Sequence, residues 1–454
     1  MEYSNFITLL ASLIILVLCI RFALKREYQS IGFISLYFLF SVFLLIYKEA
    51  FVEFYFTKWL LYTAIVIGWT FFLIINRKIS FGFPSGQKWP VIFAFLFILS
   101  SIISGILSLN RREAVTRALT FSLVFILAFF ISRQDTLRGV KNFFMSLFVF
   151  DAVLVGMSAL GIFSNVFYTA SGRFGGLMQM PTEIVIYAYT LIAVTLTLQF
   201  TTTKHKFSYF IAIFISLVQI ILAQSRSGYL CTLIVFLGIV IVLRKRKVLL
   251  IFSSITVILL IYILSADISI ENITFTVLRG ESIEEIYGIR KIYAENAMVA
   301  FRENPFLGIG MGSIPYWFTP LTMEGMPFES SIQRVANQVG YHLILAETGA
   351  VGLSLYLLWL LTTIVIGLKK ITSARNAGDR NYPYLSALFM IFVAYSVNGI
   401  FESFPASAGS VVAIRQWIIS GLFLFYPSHT LFRTVLINPF RSPAKGYFIG
   451  LLRT

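Results

Sequence analysis

The chain reads as an all-α polytopic integral membrane protein of about 12–13 transmembrane helices, given the roughly 20 apolar residues each crossing needs. One long extracytoplasmic loop carries an amphipathic helix. Three observations lead there. Of 454 residues, 58% are hydrophobic and 12% charged, where a soluble domain is about a quarter charged. Mean hydropathy is +0.86. The apolar residues gather in runs long enough to span a bilayer. Aromatic residues, among them 47 Phe and 22 Tyr, suit a lipid-facing surface with interfacial belts.

Spans are expected near 6–24, 31–47, 59–75, 90–109, 115–132, 142–162, 183–200, 207–223, 228–243, 248–264, 341–367, 382–401 and 411–426. The first run has no basic segment before it and no small-residue cleavage site after it, so it reads as an uncleaved span. Most of the 36 Lys and Arg fall in alternate connectors, including the run Arg244–Lys247 and the group Lys369, Lys370, Arg375 and Arg380. The positive-inside rule puts those connectors in the cytoplasm. Arg111, Arg112 and Arg117 then fall outside. Either the early spans are miscounted or these arginines have an external task. Segment 265–340 holds nine acidic and five basic residues. It is the least cytoplasm-like connector and is placed outside. The organisation read from this pattern is N-terminal helices over 1–165, a core over 166–367 that includes the loop 265–340, and C-terminal helices with a cytoplasmic tail over 368–454.

Several function classes fall away. The net charge of +16 sits in short connectors, where it sets topology rather than binding nucleic acid. Those connectors are too short to fold into a nucleotide-binding domain. There is no phosphate-binding P-loop. Gly308-Ile309-Gly310-Met311-Gly312 lacks the preceding strand and following helix of a dinucleotide fingerprint. No Asp-x-Asp pair offers a metal site for a sugar nucleotide. Cys19 and Cys231 lie in apolar runs and suggest neither a disulfide framework nor a metal site. No cofactor is implied.

Four extracytoplasmic features carry the chemistry. In Gln224-Ser225-Arg226-Ser227-Gly228, an Arg at the membrane edge is costly unless paired or wet. It is either a snorkelling interfacial residue or an anion ligand. In Gly172-Arg173-Phe174-Gly175-Gly176, glycines let backbone amides approach an anion; the other reading is a flexible loop with an incidental charge. Over 281–303, Ile283, Ile286, Tyr293, Ala297, Met298 and Ala300 share one helical arc. Glu284, Glu285, Lys291, Glu295, Arg302 and Glu303 lie opposite. Arg290 falls within the apolar arc, and an Arg on a buried face calls for an anionic partner. Pro305 marks that helix's end. The fourth feature runs from Asn337 to Gly349. Glu347 lies about two turns into a span and is a functional candidate by default, against a structural hydrogen bond to a neighbour. His342 lies nearby, whereas His205 and His429 look incidental. Together these make a pocket of arginines, one His and one Glu, and Arg forks suit phosphate and pyrophosphate oxygens.

In the order of these features the chain resembles the O-antigen ligase and O-antigen polymerase family of bacterial membrane glycosyltransferases. The SRSG turn, the loop helix, NPFLGIGMGS and the closing LAETGAVGL carry the resemblance, over roughly residues 170–365. It implies transfer of a glycan from undecaprenyl pyrophosphate at the periplasmic face of the bacterial inner membrane, with no metal and no cofactor. By position, Arg173, Arg226 and Arg290 look like the arginines that hold the donor pyrophosphate. His342 and Glu347 are the implied catalytic pair. Ligases of the family usually carry a His nine residues before this Glu, where this chain has Gln338. His342 follows one helical turn later. That departure favours a polymerase of a surface polysaccharide over a ligase acting on lipid A core. The implied partners are the lipid-linked donor, a glycan or lipid acceptor, membrane lipid and a chain-length regulator. A membrane transporter is the alternative of another class. It would call for interrupted spans in two matching halves, which the sequence does not show.

Overall fold

A computed structural model describes residues 17, 67, 88–132, 136–164, 167–169, 172–178, 181–245, 247–248, 294–314, 340–403 and 410–426. Among them are the helices α1 (Trp89–Leu107), α2 (Arg111–Ser132), α3 (Thr136–Leu160), α4 (Pro181–Thr201), α5 (Lys206–Ala223), α6 (Arg226–Val242), α7 (Gly340–Asn376), α8 (Tyr382–Phe401) and α9 (Val411–Phe425). Each corresponds to an expected span. The expected spans at 6–24, 31–47, 59–75 and 248–264 lie outside the described residues. No strand forms among the described residues; one isolated antiparallel bridge pairs Tyr168 with Phe174. The protein is thus an all-α polytopic membrane protein. Six of the helices, α1, α3, α4, α5, α7 and α8, are long and apolar enough to cross a membrane, while α6 and α9 are shorter apolar helices.

Local sequence fixes where the helices start. Pro90 and Pro383 occupy first-turn positions of α1 and α8, where the missing N–H costs nothing. The Ser225 hydroxyl accepts from the Gly228 amide at the start of α6. The Ser410 hydroxyl accepts from Val412 and Ala413 at the start of α9. These are Ser N-caps, which answer amides that the helix itself cannot pair.

Helix α4 is the hub. It is buried nearly all round, from Ile184 to Leu198, and packs against α3, α5, α6 and α8. A helix apolar on every face belongs in such a place. The outer helices instead expose apolar stripes, such as Phe210, Phe214, Leu217 and Ile221 on α5 and Leu357, Leu361, Val365 and Leu368 on α7. Their spacing of three or four residues marks faces turned to lipid. Aromatic rings fill the join of α1, α2, α7 and α9, where Trp359 stacks on Trp417 with centroids 3.8 Å apart.

The antiparallel pair α6 and α8 serves as a ruler. Cys231 Sγ donates to the Ala394 carbonyl at 3.4 Å, and Tyr382 Oη donates to the Val242 carbonyl at 2.5 Å. This register brings Arg226, at the start of α6, toward the level of Gly399. The Gly399 carbonyl lies against Gly340, where a Cβ would fall 2.1 Å from that oxygen. The starts of α6 and α7 therefore share one end of the bundle. At the opposite end the Lys370 amine donates to the Tyr426 carbonyl, the Tyr426 hydroxyl donates to Asp379, and Lys245 sits 5.3 Å over the Phe200 ring.

α7 has 37 residues and runs well past the expected end near 367. At 1.5 Å per residue its part beyond Gly349, residues 350–376, alone is about 40 Å long, more than the bilayer core requires. It also breaks once, at Gly349, where φ is 67° and ψ −173°. That break positions the site.

Candidate active site

Residues 304–314 form a turn-rich loop that fills the break in α7. The Ile309 amide donates to the Ala346 carbonyl and the Gly310 amide to the Glu347 carbonyl, each at 3.0 Å. From the other side, the Ala350 amide donates to the Pro305 carbonyl at 2.8 Å and the Val351 amide to the Phe306 carbonyl at 3.3 Å. Ser104 Oγ adds a bond to the Glu347 carbonyl at 2.9 Å. A helix break frees backbone groups that would otherwise be paired within the helix; here the loop satisfies them. The two motifs of the resemblance, PFLGIG and LAETG, are thus one packed unit.

The glycine spacing of the loop has a physical cause. Gly308, Gly310 and Gly312 all have positive φ, at 72°, 104° and 76°, which L side chains adopt at a cost. Each also lacks room for a side chain. A Cβ would fall 2.4 Å from the Glu347 carbonyl carbon at 308, 2.5 Å from Ser108 at 310 and 2.0 Å from Arg117 Cδ at 312. Ser108 Oγ and Ser313 Oγ, 3.0 Å apart, tie the α1–α2 turn to this loop.

Glu347 is buried at 6% exposure. Its carboxylate accepts from the backbone amides of Gly312 and Ile314, and Arg117 acts on it electrostatically. Arg117 also bonds Glu113, with Nε 2.9 Å from Oε1. Beside this cluster, residues 294–303 are helical. Their Ala297 and Ala300 pack with Ile314, Ala346, Ile309 and Leu343, while Glu295, Arg302 and Glu303 are exposed. The apolar arc read from sequence is the packed face in these residues.

The two glycine-flanked arginine turns also meet. The Phe174 amide donates to the Leu222 carbonyl at 3.1 Å, and Arg173 Nε donates to the Ala223 carbonyl at 3.1 Å. This docks the Arg173 turn onto the end of α5, three residues before Arg226. A Cβ at Gly228 would fall 2.1 Å from Val185 Cγ1, so the SRSG turn packs directly on α4. Arg173 and Arg226 are brought together, at the end of the bundle that holds the start of α7.

His342 is exposed on the first turn of α7. It precedes Glu347 by five residues, which sets it roughly 140° round the helix from Glu347. The two implied catalytic residues therefore share an end and a helix but not a face. Arg290 lies outside the described residues. Arg111 and Arg112 are exposed at the start of α2, next to the turn tied to the loop, and so share the Glu347 end.

Sequence reading passed over one charged pair. Asp151 of α3 and Arg415 of α9 are both fully buried, with Arg415 Nη2 2.5 Å from Asp151 Oδ1. Arg415 Nη1 donates to Asp151 Oδ2 and to Tyr395 Oη, both at 3.3 Å. Tyr395 Oη lies 3.0 Å from Thr190 Oγ1. The guanidinium also sits over the rings of Phe150 and Tyr187, at 5.4 and 5.1 Å. The signal was present, since a charged residue inside an apolar span is costly unless paired.

Fold and site together define a polytopic all-α membrane protein with Arg117, Arg173, Arg226, His342 and Glu347 at one end, where a loop enters a broken helix. Residues 211–357 match the family model described as O-antigen ligase. No curated protein shows a significant match. The matched stretch begins inside α5 and ends beyond the α7 break. It takes in Arg226, Arg290, His342 and Glu347, whereas Arg117 and Arg173 precede it. The match agrees with the resemblance read from the motifs, and it supports a glycosyltransferase role of the ligase/polymerase type.

Proposed function

We propose that the protein is a polymerase of a bacterial surface polysaccharide. It would pass a glycan from undecaprenyl pyrophosphate to a lipid-linked repeat unit at the periplasmic face of the inner membrane. The observation that carries this reading is the shared end of Arg173, Arg226, His342 and Glu347, with the family match across three of the four. The bond that forms joins the acceptor hydroxyl oxygen to the anomeric carbon of the donor. The bond that breaks joins that carbon to pyrophosphate, which leaves with the electron pair. Arg173, Arg226 and Arg290 offset the charge that develops on the leaving group. Arg290 precedes Ala297, which packs near Ala346, by seven positions in the sequence.

Two groups can take the proton from the acceptor hydroxyl. Glu347 is fixed by two amides and Arg117. His342 is exposed on the same helix. Replacing each separately, as Glu347→Gln and His342→Ala, assigns the step. Gln338, standing where ligases of the family usually carry a His, supports polymerase over ligase.

The test is polysaccharide chain length on a gel from cells carrying Arg226→Ala or Glu347→Gln at normal membrane levels. Short or absent polymer is expected. Full-length polymer from both variants refutes the proposal. Loss confined to the joining of finished polymer to lipid A core would make the protein a ligase.

A further inference from the structure

Arg117 lies outside the segment that matches the family model, on a helix that sequence alone did not connect to the site. The first two turns of α2 face two of the loop glycines, Gly310 and Gly312. A Cβ at Gly310 would meet Ala114 Cβ at 3.1 Å, and one at Gly312 would meet Arg117 Cδ at 2.0 Å. Gly312 therefore leaves the space that the Arg117 side chain occupies. Gly312 also donates its amide to Glu347, so the Arg lies across the backbone that holds the carboxylate. Its other anchor is Glu113 at 2.9 Å, and the Arg117 side chain is 32% exposed. The guanidinium thus sits at the rim between two acids, the half-buried Glu113 and the buried Glu347.

We infer that Arg117 is a positioning residue for Glu347. It holds the Gly312–Ile314 backbone and the Glu347 carboxylate in one arrangement, and so makes the first half of the chain part of the active site. The inference rests on the proposal that Glu347 serves glycosyl transfer.

The experiment uses the full chain in proteoliposomes with lipid-linked repeat units, and measures kcat and the KM for the donor. Arg117→Gln should lower kcat about tenfold or more, since small displacements of a reacting group cost that much, while KM stays close to wild type. Arg117→Lys should restore much of the loss by returning a cation to the same place. Wild-type kcat in Arg117→Gln overturns the inference, as does a raised KM at unchanged kcat, which would make Arg117 a donor ligand. Lys performing no better than Gln also overturns it. If Glu347→Gln is inactive while Arg117→Gln is normal, the inference fails and the site proposal stands. If Glu347→Gln keeps full kcat, the inference fails and the proton falls to His342; the site proposal itself fails when Arg226→Ala is also normal.

Discussion

Gly349 abuts the carbonyl of Phe306: a Cβ at position 349 would fall 2.2 Å from that oxygen. The contact closes the α7 break against the loop that reaches Glu347. Its backbone, at φ 67° and ψ −173°, is one that essentially only glycine adopts without strain.

Gly349→Ala should therefore act at the site as well as on stability. Strain alone is expected to cost about 1–3 kcal/mol, before any clash with Phe306. Thermal unfolding of the detergent-solubilised protein and a transfer assay should both show loss. Gly139→Ala is the control, because a Cβ there meets nothing within 4 Å. Equal behaviour of the two variants would contradict the packing described.

The Asp151–Arg415 pair makes a separate stability prediction. Asp151→Asn leaves the Arg415 charge buried without its counter-ion, which typically costs about 3–5 kcal/mol. Replacing both, as Asp151→Leu with Arg415→Met, should recover a large part of that loss, because paired charges in a low-dielectric interior bring little net gain. The unfolding midpoints of the three proteins decide. A double variant as unstable as the single one argues against a simple paired-charge role.

Arg173 and Arg226 should fail in the same way if they share one pyrophosphate. Arg226→Lys keeps the charge but loses the fork that matches two phosphate oxygens, so donor KM should rise about tenfold or more. Arg173→Lys should do likewise, and the double variant should lose less than the two separate losses combined. Full additivity, or unchanged KM, points to the snorkelling and loop readings of these residues.

The helices of the described residues are legible because each contains a run of apolar residues, most of them bounded by charge or proline. The break in α7 is not, although its cause is a single visible glycine. Gly349 reads as a packing residue until Phe306 is placed against it. Glycines 308, 310 and 312 stand out as a motif, but their purpose depends on Glu347 of α7, Arg117 of α2 and Ser108 of the α1–α2 turn. Periodicity says which face of a helix is apolar and not which helix it meets. Asp151 and Arg415 are 264 positions apart, so their pairing emerges only from packing. The charge rule flagged Arg111, Arg112 and Arg117 as misfits. The structure sets them at the Glu347 end, beside the loop.

Glycosyl transfer by purified protein is the most direct measurement. Proteoliposomes carrying the full chain and lipid-linked repeat units, with no other enzyme, should yield longer lipid-linked glycans and release undecaprenyl pyrophosphate. Glu347→Gln and Arg226→Ala should abolish both products. Unchanged substrate with the wild-type protein, or equal turnover by the two variants, would contradict a transferase site at this end of the bundle.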